Sequence, residues 1–296
     1  MSDQKLMRYR YQLLNIKLQT HKTDVEKENA YSSLIKNMKE LRLHSAVSKD
    51  KHITIYNFYE RTIENTDAKY LYGYIGKGLC FDKEMITNID LSQSENLESK
   101  VQVQKDLLIN AELTTYIFVP SVHKFCIILN NSINANQVHK FFKNSLGFVT
   151  DKDDIWNIDI VKDPKITDDI LSAFAIHSLN YSISYTNDDP NKSIDKLFDQ
   201  RLKRLNIGNI DVNMQSDNTG SFNIKEEDEL IQGGILLAEQ NGQINEVVIT
   251  RHEGEKRVKL SNQQKPATFE IEAFELDYMK IIVQNIIKLF TNHDHD

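Results

Sequence analysis

Apolar and polar positions along the chain predict its elements before any other property is considered. In residues 8–18, RYRYQLLNIKL, β-prone residues in partial alternation predict a first strand. In residues 23–43, TDVEKENAYSSLIKNMKELRL, Leu34, Ile35, Met38 and Leu41 recur at spacings of three and four, which predicts an amphipathic helix capped by Thr23 or Asp24. HITIYNFYERTI and AKYLYGYIG, residues 52–63 and 68–76, follow as strands. The chain therefore opens β-α-β-β, the order in which a ferredoxin-like sheet begins. Residues 87–105 are polar enough to form a surface loop, LTTYIFVP and HKFCIILN predict a hairpin turning at Pro120 and Ser121, and NANQVHKFFKNSL predicts a helix.

The polar run TDKDD at residues 150–154 interrupts this periodicity and marks an expected boundary between modules 1–150 and 151–296. Beyond it, IWNIDIVKD, HSLNYSISYT and NIGNIDVNMQS predict strands and TDDILSAF a short helix. Asp189 as cap and Pro190 at the first helical position start another helix, striped by Ile194, Leu197, Phe198, Leu202 and Leu205. EEDELIQGGILLAEQ fits a helix better than a strand because Leu230, Ile231, Leu236 and Leu237 keep helical spacing, although Gly233 and Gly234 each cost about 1 kcal/mol there. Such glycines let another backbone come close. After QINEVVIT and TFEIEAF as strands, the closing helix carries a broad apolar face of Leu276, Met279, Ile282, Val283, Ile286 and Phe290, widened by Ile281 and Ile287. That face is either buried within its domain or shared with a second subunit. The expected class is α+β, with mixed or antiparallel sheets flanked by helices, in two modules.

Composition narrows the function classes. Of 296 residues, 40% are hydrophobic and 27% charged, which is ordinary for a folded chain. A net charge of −7 argues against a protein coated in positive charge that wraps long duplexes, while leaving room for a local basic patch. No apolar run has the length of a signal peptide or membrane span, so a cytoplasmic protein without membrane contact is expected. Cys80 and Cys126 lack CxxC spacing and read as buried free thiols; no metal and no cofactor is expected.

The strongest local charge pattern is TRHEGEKRVKL, residues 250–260, a hairpin tip with Arg251, Lys256, Arg257 and Lys259. With HEGE as its loop, Ile249 faces Val258, Val247 faces Leu260, and Arg251 stands opposite Lys256. Like charges across a strand pair repel, so the tip needs solvent or an anion such as phosphate. Arg201, Lys203 and Arg204 form a second basic group, in the last turn of the helix begun at Asp189. Tyr70, Tyr72 and Tyr74 alternate onto one strand face, as stacking aromatics do in RNA-recognition domains. Glu270 and Glu272 share a strand face, an arrangement that occurs in metal-dependent nucleases. HDHD, residues 293–296, offers metal ligands at the chain end, whereas His52, His123 and His177 show no ligand spacing. No Walker A, GxGxxG, GxSxG or HExxH pattern occurs, so catalysis is not the leading expectation.

LKRLNIGNIDVNMQSDNTGSF, the helix ending AEQNG, VVITRHEGEKRVKL and TFEIEAF together resemble an uncharacterised bacterial family met in mobile-element and phage-defence neighbourhoods. In layout the chain is also similar to the lambda phage-exclusion protein RexA. That resemblance implies a homodimer that binds DNA, rather than RNA, without strict sequence preference, and an association with phage or defence-system proteins. The expected function is a non-catalytic component of anti-phage defence; the alternatives are a metal-dependent nuclease effector and a scaffold that senses a phage protein.

Overall fold

The computed structural model describes residues 5–19, 24–64, 69–80, 108–150, 154–162, 165–184, 201, 204–205, 207, 209–217, 220–222, 229–261 and 266–291. The first elements are β1 (Leu6–Gln19), α1 (Asp24–Glu40), β2 (His44–Ala46), β3 (Lys51–Ile55), β4 (Tyr59–Thr62), β5 (Lys69–Cys80), β6 (Leu108–Val119), β7 (Lys124–Ile128) and α2 (Ala135–Val149). They are followed by β8 (Ile155–Ile160), α3 (Lys165–Leu171), β9 (Ala175–Ser184), β10 (Asn209–Gln215), α4 (Gly234–Asn241), β11 (Gly242–Thr250), β12 (Val258–Ser261), β13 (Thr268–Phe274) and α5 (Tyr278–Thr291). The class is α+β and the chain starts strand-helix-strand, as the periodicity predicts.

Two compact units result, each discontinuous in sequence. One takes residues 1–11, 22–153 and 270–283, and the other residues 12–21, 154–269 and 284–296. The break after 153 lies beside the expected boundary, but the two exchanged segments, 12–21 and 270–283, leave no mark in composition. The Asp189 helix and the loop at 87–105 lie outside the described residues, apart from the helix's last residues Arg201, Arg204 and Leu205. Among the described residues no helix is long and apolar enough to cross a membrane.

In the first unit the strand order is β13-β1-β7-β6-β5-β3-β2, and β4 also pairs with β5. The tyrosine strand is thus β5, separated from β1 by β6 and β7. The expected β-α-β-β order is kept by β1, α1, β2 and β3, while the tyrosine strand, expected third, is the fifth. Helix α1 buries Tyr31, Leu34, Ile35 and Met38, whereas Leu41 stays 57% exposed because the helix ends before it, at Glu40. An aromatic chain fills the core: Tyr31 meets Phe118 edge-on at 5.5 Å, Phe118 meets Phe125 at 5.9 Å, and Phe125 meets Phe142 edge-on at 4.9 Å. Such offset and edge contacts suit the ring quadrupoles.

Residues 52–63, expected as one strand, break into β3 and β4 around Asn57. Its Oδ1 accepts the Tyr74 amide at 2.7 Å and its backbone carbonyl accepts the Tyr116 hydroxyl at 3.0 Å. Gly73 makes this possible, since a Cβ there would lie inside van der Waals contact with the Asn57 carbonyl. A strand glycine marking a close backbone approach is the general pattern.

In the second unit, residues Leu14–Gln19 of β1 pair antiparallel with β8, and a four-stranded antiparallel sheet runs β10-β9-β11-β12. Leu179, Tyr181 and Ile183 of β9 join Ile235, Leu237 and Ala238 of α4 in its core. Of the helix preferred for residues 226–240, an α-helix forms over Gly234–Asn241, entered through a π-turn at Glu229–Gly233, and residues 226–228 lie outside the described residues. Gly234 admits a side chain rather than the expected backbone: the Tyr181 phenol occupies the space of its missing Cβ. Gly242 does approach backbone, at the Ser182 carbonyl.

Lys162 donates from Nζ to the Gly242 carbonyl, and burial pulls its pKa down to about 8, with Asp159 and Glu239 opposing. The group ordinarily titrates at 10.5, so between these values the unfolded chain holds more protons and stability rises with pH. Urea unfolding of the protein and of Lys162→Met at about pH 7 and about pH 10 should show a gain at the higher pH that the variant lacks. An equal pH response of the two proteins contradicts this.

Candidate nucleic-acid interface

The basic hairpin adopts the register read from its alternation: Ile249 pairs with Val258 and Val247 with Leu260. The ladder stops there, and residues 251–257 form the loop, with Gly254 at φ 79. Arg251 consequently does not stand in a ladder opposite Lys256, which corrects the four-residue loop. Its backbone carbonyl accepts the Phe174 amide at 3.1 Å, and its guanidinium bonds Asp169 of α3 at 3.0 Å. Lys259 is bound to Glu246 at 2.7 Å. Two of the four cations thus have internal carboxylates, and the expected repulsion is relieved within the protein.

Lys256 and Arg257 remain exposed with no ion pair among the described residues. Glu253 and Glu255 in the same loop balance their formal charge. Of the second basic group, Arg201 and Arg204 are exposed and Lys203 lies outside the described residues.

On the first unit, Tyr70, Tyr72 and Tyr74 do share one face of β5, but unequally. Tyr70 is 7% exposed, Tyr72 half-buried and Tyr74 41% exposed. Tyr70 is therefore no free stacking surface. The antiparallel register adds two residues that sequence reasoning missed, because Tyr59 lies opposite Tyr72 and Arg61 opposite Tyr70. Directly opposed residues point to the same side. The Tyr59 and Tyr72 rings lie 5.3 Å apart, and the Arg61 guanidinium sits 5.0 Å above the Tyr72 centroid. The alternation Tyr59-x-Arg61 was the available signal.

Arg61 differs from the hairpin cations in what holds it. Its pKa is raised first by a hydrogen bond from its guanidinium to Tyr70, then by the nearby Tyr72 and Tyr70 hydroxyls. No carboxylate pairs with it among the described residues. Glu60, its neighbour, falls on the opposite face of β4 and is taken by Lys69 at 2.8 Å. The result is a cation without a carboxylate partner among the described residues, lying over the Tyr72 ring, with the exposed Tyr59 opposite that ring and the exposed Tyr74 two residues further along β5.

Along the same face Tyr74 pairs with Thr115 of β6, whose hydroxyl lies 3.5 Å from that of Tyr278. Tyr278 in turn stacks on Tyr9 at 4.6 Å. Burial raises the pKa of both phenols, so the two stay protonated well above neutrality.

The carboxylate pair behaves otherwise than a metal site. Glu270 and Glu272 are both on the exposed face of β13, and Glu270 is bound to Arg8 at 2.8 Å. Among the described residues neither belongs to any group of three possible metal ligands. Residues 293–296 lie outside the described residues. His177 is held by the Gly220 carbonyl and the Thr250 hydroxyl. In α5, Ile282, Val283 and Ile286 are buried within the chain itself, while Leu276 precedes the helix and is 78% exposed. Met279, Ile281, Ile287 and Phe290 are half-buried.

A search of curated proteins finds no match to this chain. Residues 7–288 match the model of the family described as Domain of unknown function (DUF4747), and the chain belongs to that family.

Proposed function

We propose that this protein binds nucleic acid without strict sequence preference and without catalysis, and that its first unit favours unpaired strands. The carrying observation is Arg61 over the Tyr72 ring, with no carboxylate partner among the described residues and with Tyr59 and Tyr74 beside it. Bases stack on tyrosine and guanidinium faces regardless of sequence, and a free cation at such a platform contacts phosphate. DNA is the expected nucleic acid. In the second unit Lys256 and Arg257 serve as a smaller phosphate contact, with Arg201 and Arg204 as further exposed cations. The resemblance to phage-defence families and to the layout of RexA supports a setting in anti-phage defence, with the protein acting as a homodimer alongside phage or defence-system proteins in the cytoplasm.

Titration of the full chain against labelled single-stranded DNA, duplex DNA and RNA at two salt concentrations tests this. Single-stranded DNA is expected to bind tightest. The Tyr59→Ala and Tyr74→Ala double variant should lose about 1–3 kcal/mol per base displaced, or roughly tenfold or more in affinity. Arg61→Ala should in addition flatten the salt dependence by about one unit of slope, and the Lys256→Ala, Arg257→Ala variant should weaken binding alike on every sequence. Absence of binding at low salt rejects the proposal. Binding unchanged in the tyrosine and Arg61 variants moves the site elsewhere.

A further inference from the structure

Three donors of metal-ligand type meet on the first unit, at the end of β5 away from its tyrosines. His44 of β2, His52 of β3 and Cys80 of β5 each place a ligand atom within 4.8 Å of the other two. Strand pairing does this. Ala46 lies opposite His52, so His44 is its diagonal neighbour two residues along β2, and His52 lies opposite Gly78. Cys80 is two residues beyond Gly78, on the same face, and its amide bonds the Asp50 carbonyl at 3.3 Å. Gly78 has no side chain to fill the space between the imidazoles and the thiol. Ile53 and Ile55, of opposite parity in β3, point into the core instead, which leaves His52 on the outer face.

We propose that His44, His52 and Cys80 form a Zn2+ site. Two imidazoles and one thiolate are a donor set suited to this borderline-soft ion, which takes four tetrahedral ligands. The fourth position is filled by water or an incoming ligand. The His44 and His52 Nδ1 atoms face one another at 2.7 Å. A tetrahedral edge between nitrogen ligands is about 3.3 Å, given metal–nitrogen distances near 2.0 Å. The rings therefore part by about half an ångström on binding. The same contact means that one Nδ1 now carries a proton toward the other. If both rings bind through Nδ1, that proton moves to the Nε2 of its own ring. The Cys80 thiol releases its proton to solvent, so binding tightens as pH rises. Held by three strands, such an ion would brace the β2-β3-β5 edge.

The reduced full chain, stripped with chelator and titrated with Co2+, provides the test. One Co2+ per chain is expected, with tetrahedral ligand-field bands and a thiolate-to-cobalt charge-transfer band, both lost when Zn2+ displaces the probe. Cys80→Ser should lose the charge-transfer band and Cys126→Ser should keep it, since Cys126 is buried apart from any ligand group among the described residues. His44→Asn and His52→Asn should each lose the tetrahedral bands. A wild-type chain that shows no charge-transfer band at saturating Co2+ overturns the proposal, even if Co2+ binds, because a cobalt ion held by the Cys80 thiolate must show one. A band that persists in Cys80→Ser overturns it equally. The wild-type spectrum decides the matter whether or not a variant folds, and nucleic-acid binding does not enter the readout.

Discussion

Replacing Phe125 by alanine is expected to lower stability by about 3–5 kcal/mol, the largest effect of any single substitution considered. The ring is fully buried in β7 and touches three other aromatics: Tyr116 stacked at 5.0 Å, Phe118 at 5.9 Å and Phe142 edge-on at 4.9 Å. Its removal opens a cavity that none of these neighbours can enter without leaving its own contacts. Phe118 is held by Tyr31 of α1, and Phe142 by Phe141 of α2. Helix α2 touches this ring through Phe142 and α1 reaches it through Phe118, so the loss should be felt in the first unit as a whole. Urea unfolding followed by circular dichroism measures it. A midpoint close to that of the unaltered chain would mean that the aromatic chain is not the main support of the unit. Phe125→Leu, which keeps most of the volume, should recover much of the loss.

Gly234→Ala is the second large effect, and its sign is set by tertiary contact. On helix propensity alone the substitution should stabilise by about 1 kcal/mol, since glycine is a poor helix former. The added Cβ, however, would fall on the Tyr181 phenol, inside contact with its Oη and with Cζ. Tyr181 is fully buried in the core of the second unit and cannot swing aside. Overpacking of this kind costs about 1–3 kcal/mol, so a net loss is expected. Placing the same substitution in a Tyr181→Phe background removes the nearest atom and should make it less harmful, a positive coupling in a double-mutant cycle. Additive effects of the two substitutions would show that the ring and the glycine do not meet.

Much of the fold was legible from periodicity. Leu34, Ile35 and Met38 of α1, Val247 and Ile249 against Val258 and Leu260, and the choice of helix for residues 234–240 all depend on which face a residue presents, and spacing encodes that directly. Alternation predicts a strand unbroken through Asn57, a tyrosine strand that comes third and Arg251 opposite Lys256, and the structure departs from all three because each depends on a partner distant in sequence. Those partners are Gly73 for Asn57, β6 and β7 for the tyrosine strand, and Asp169 for Arg251.

The candidate sites divide in the same way. Tyr72, Tyr74, Lys256 and Arg257 could be named from sequence because alternation and charge are local. Which of them stay available could not, since the neutralisation of Arg251 and Lys259 and the burial of Tyr70 come from other elements. Tyr59 and Arg61 entered only through the β4–β5 register, and His44, His52 and Cys80 only through the pairing of β2, β3 and β5. The sequence by itself determined the α+β class, most element positions and the buried faces, because helix and strand periods are properties of a single segment. Tertiary structure alone decided strand order, the pairing of charges and the grouping of ligands, because those are distances between segments that no local pattern carries.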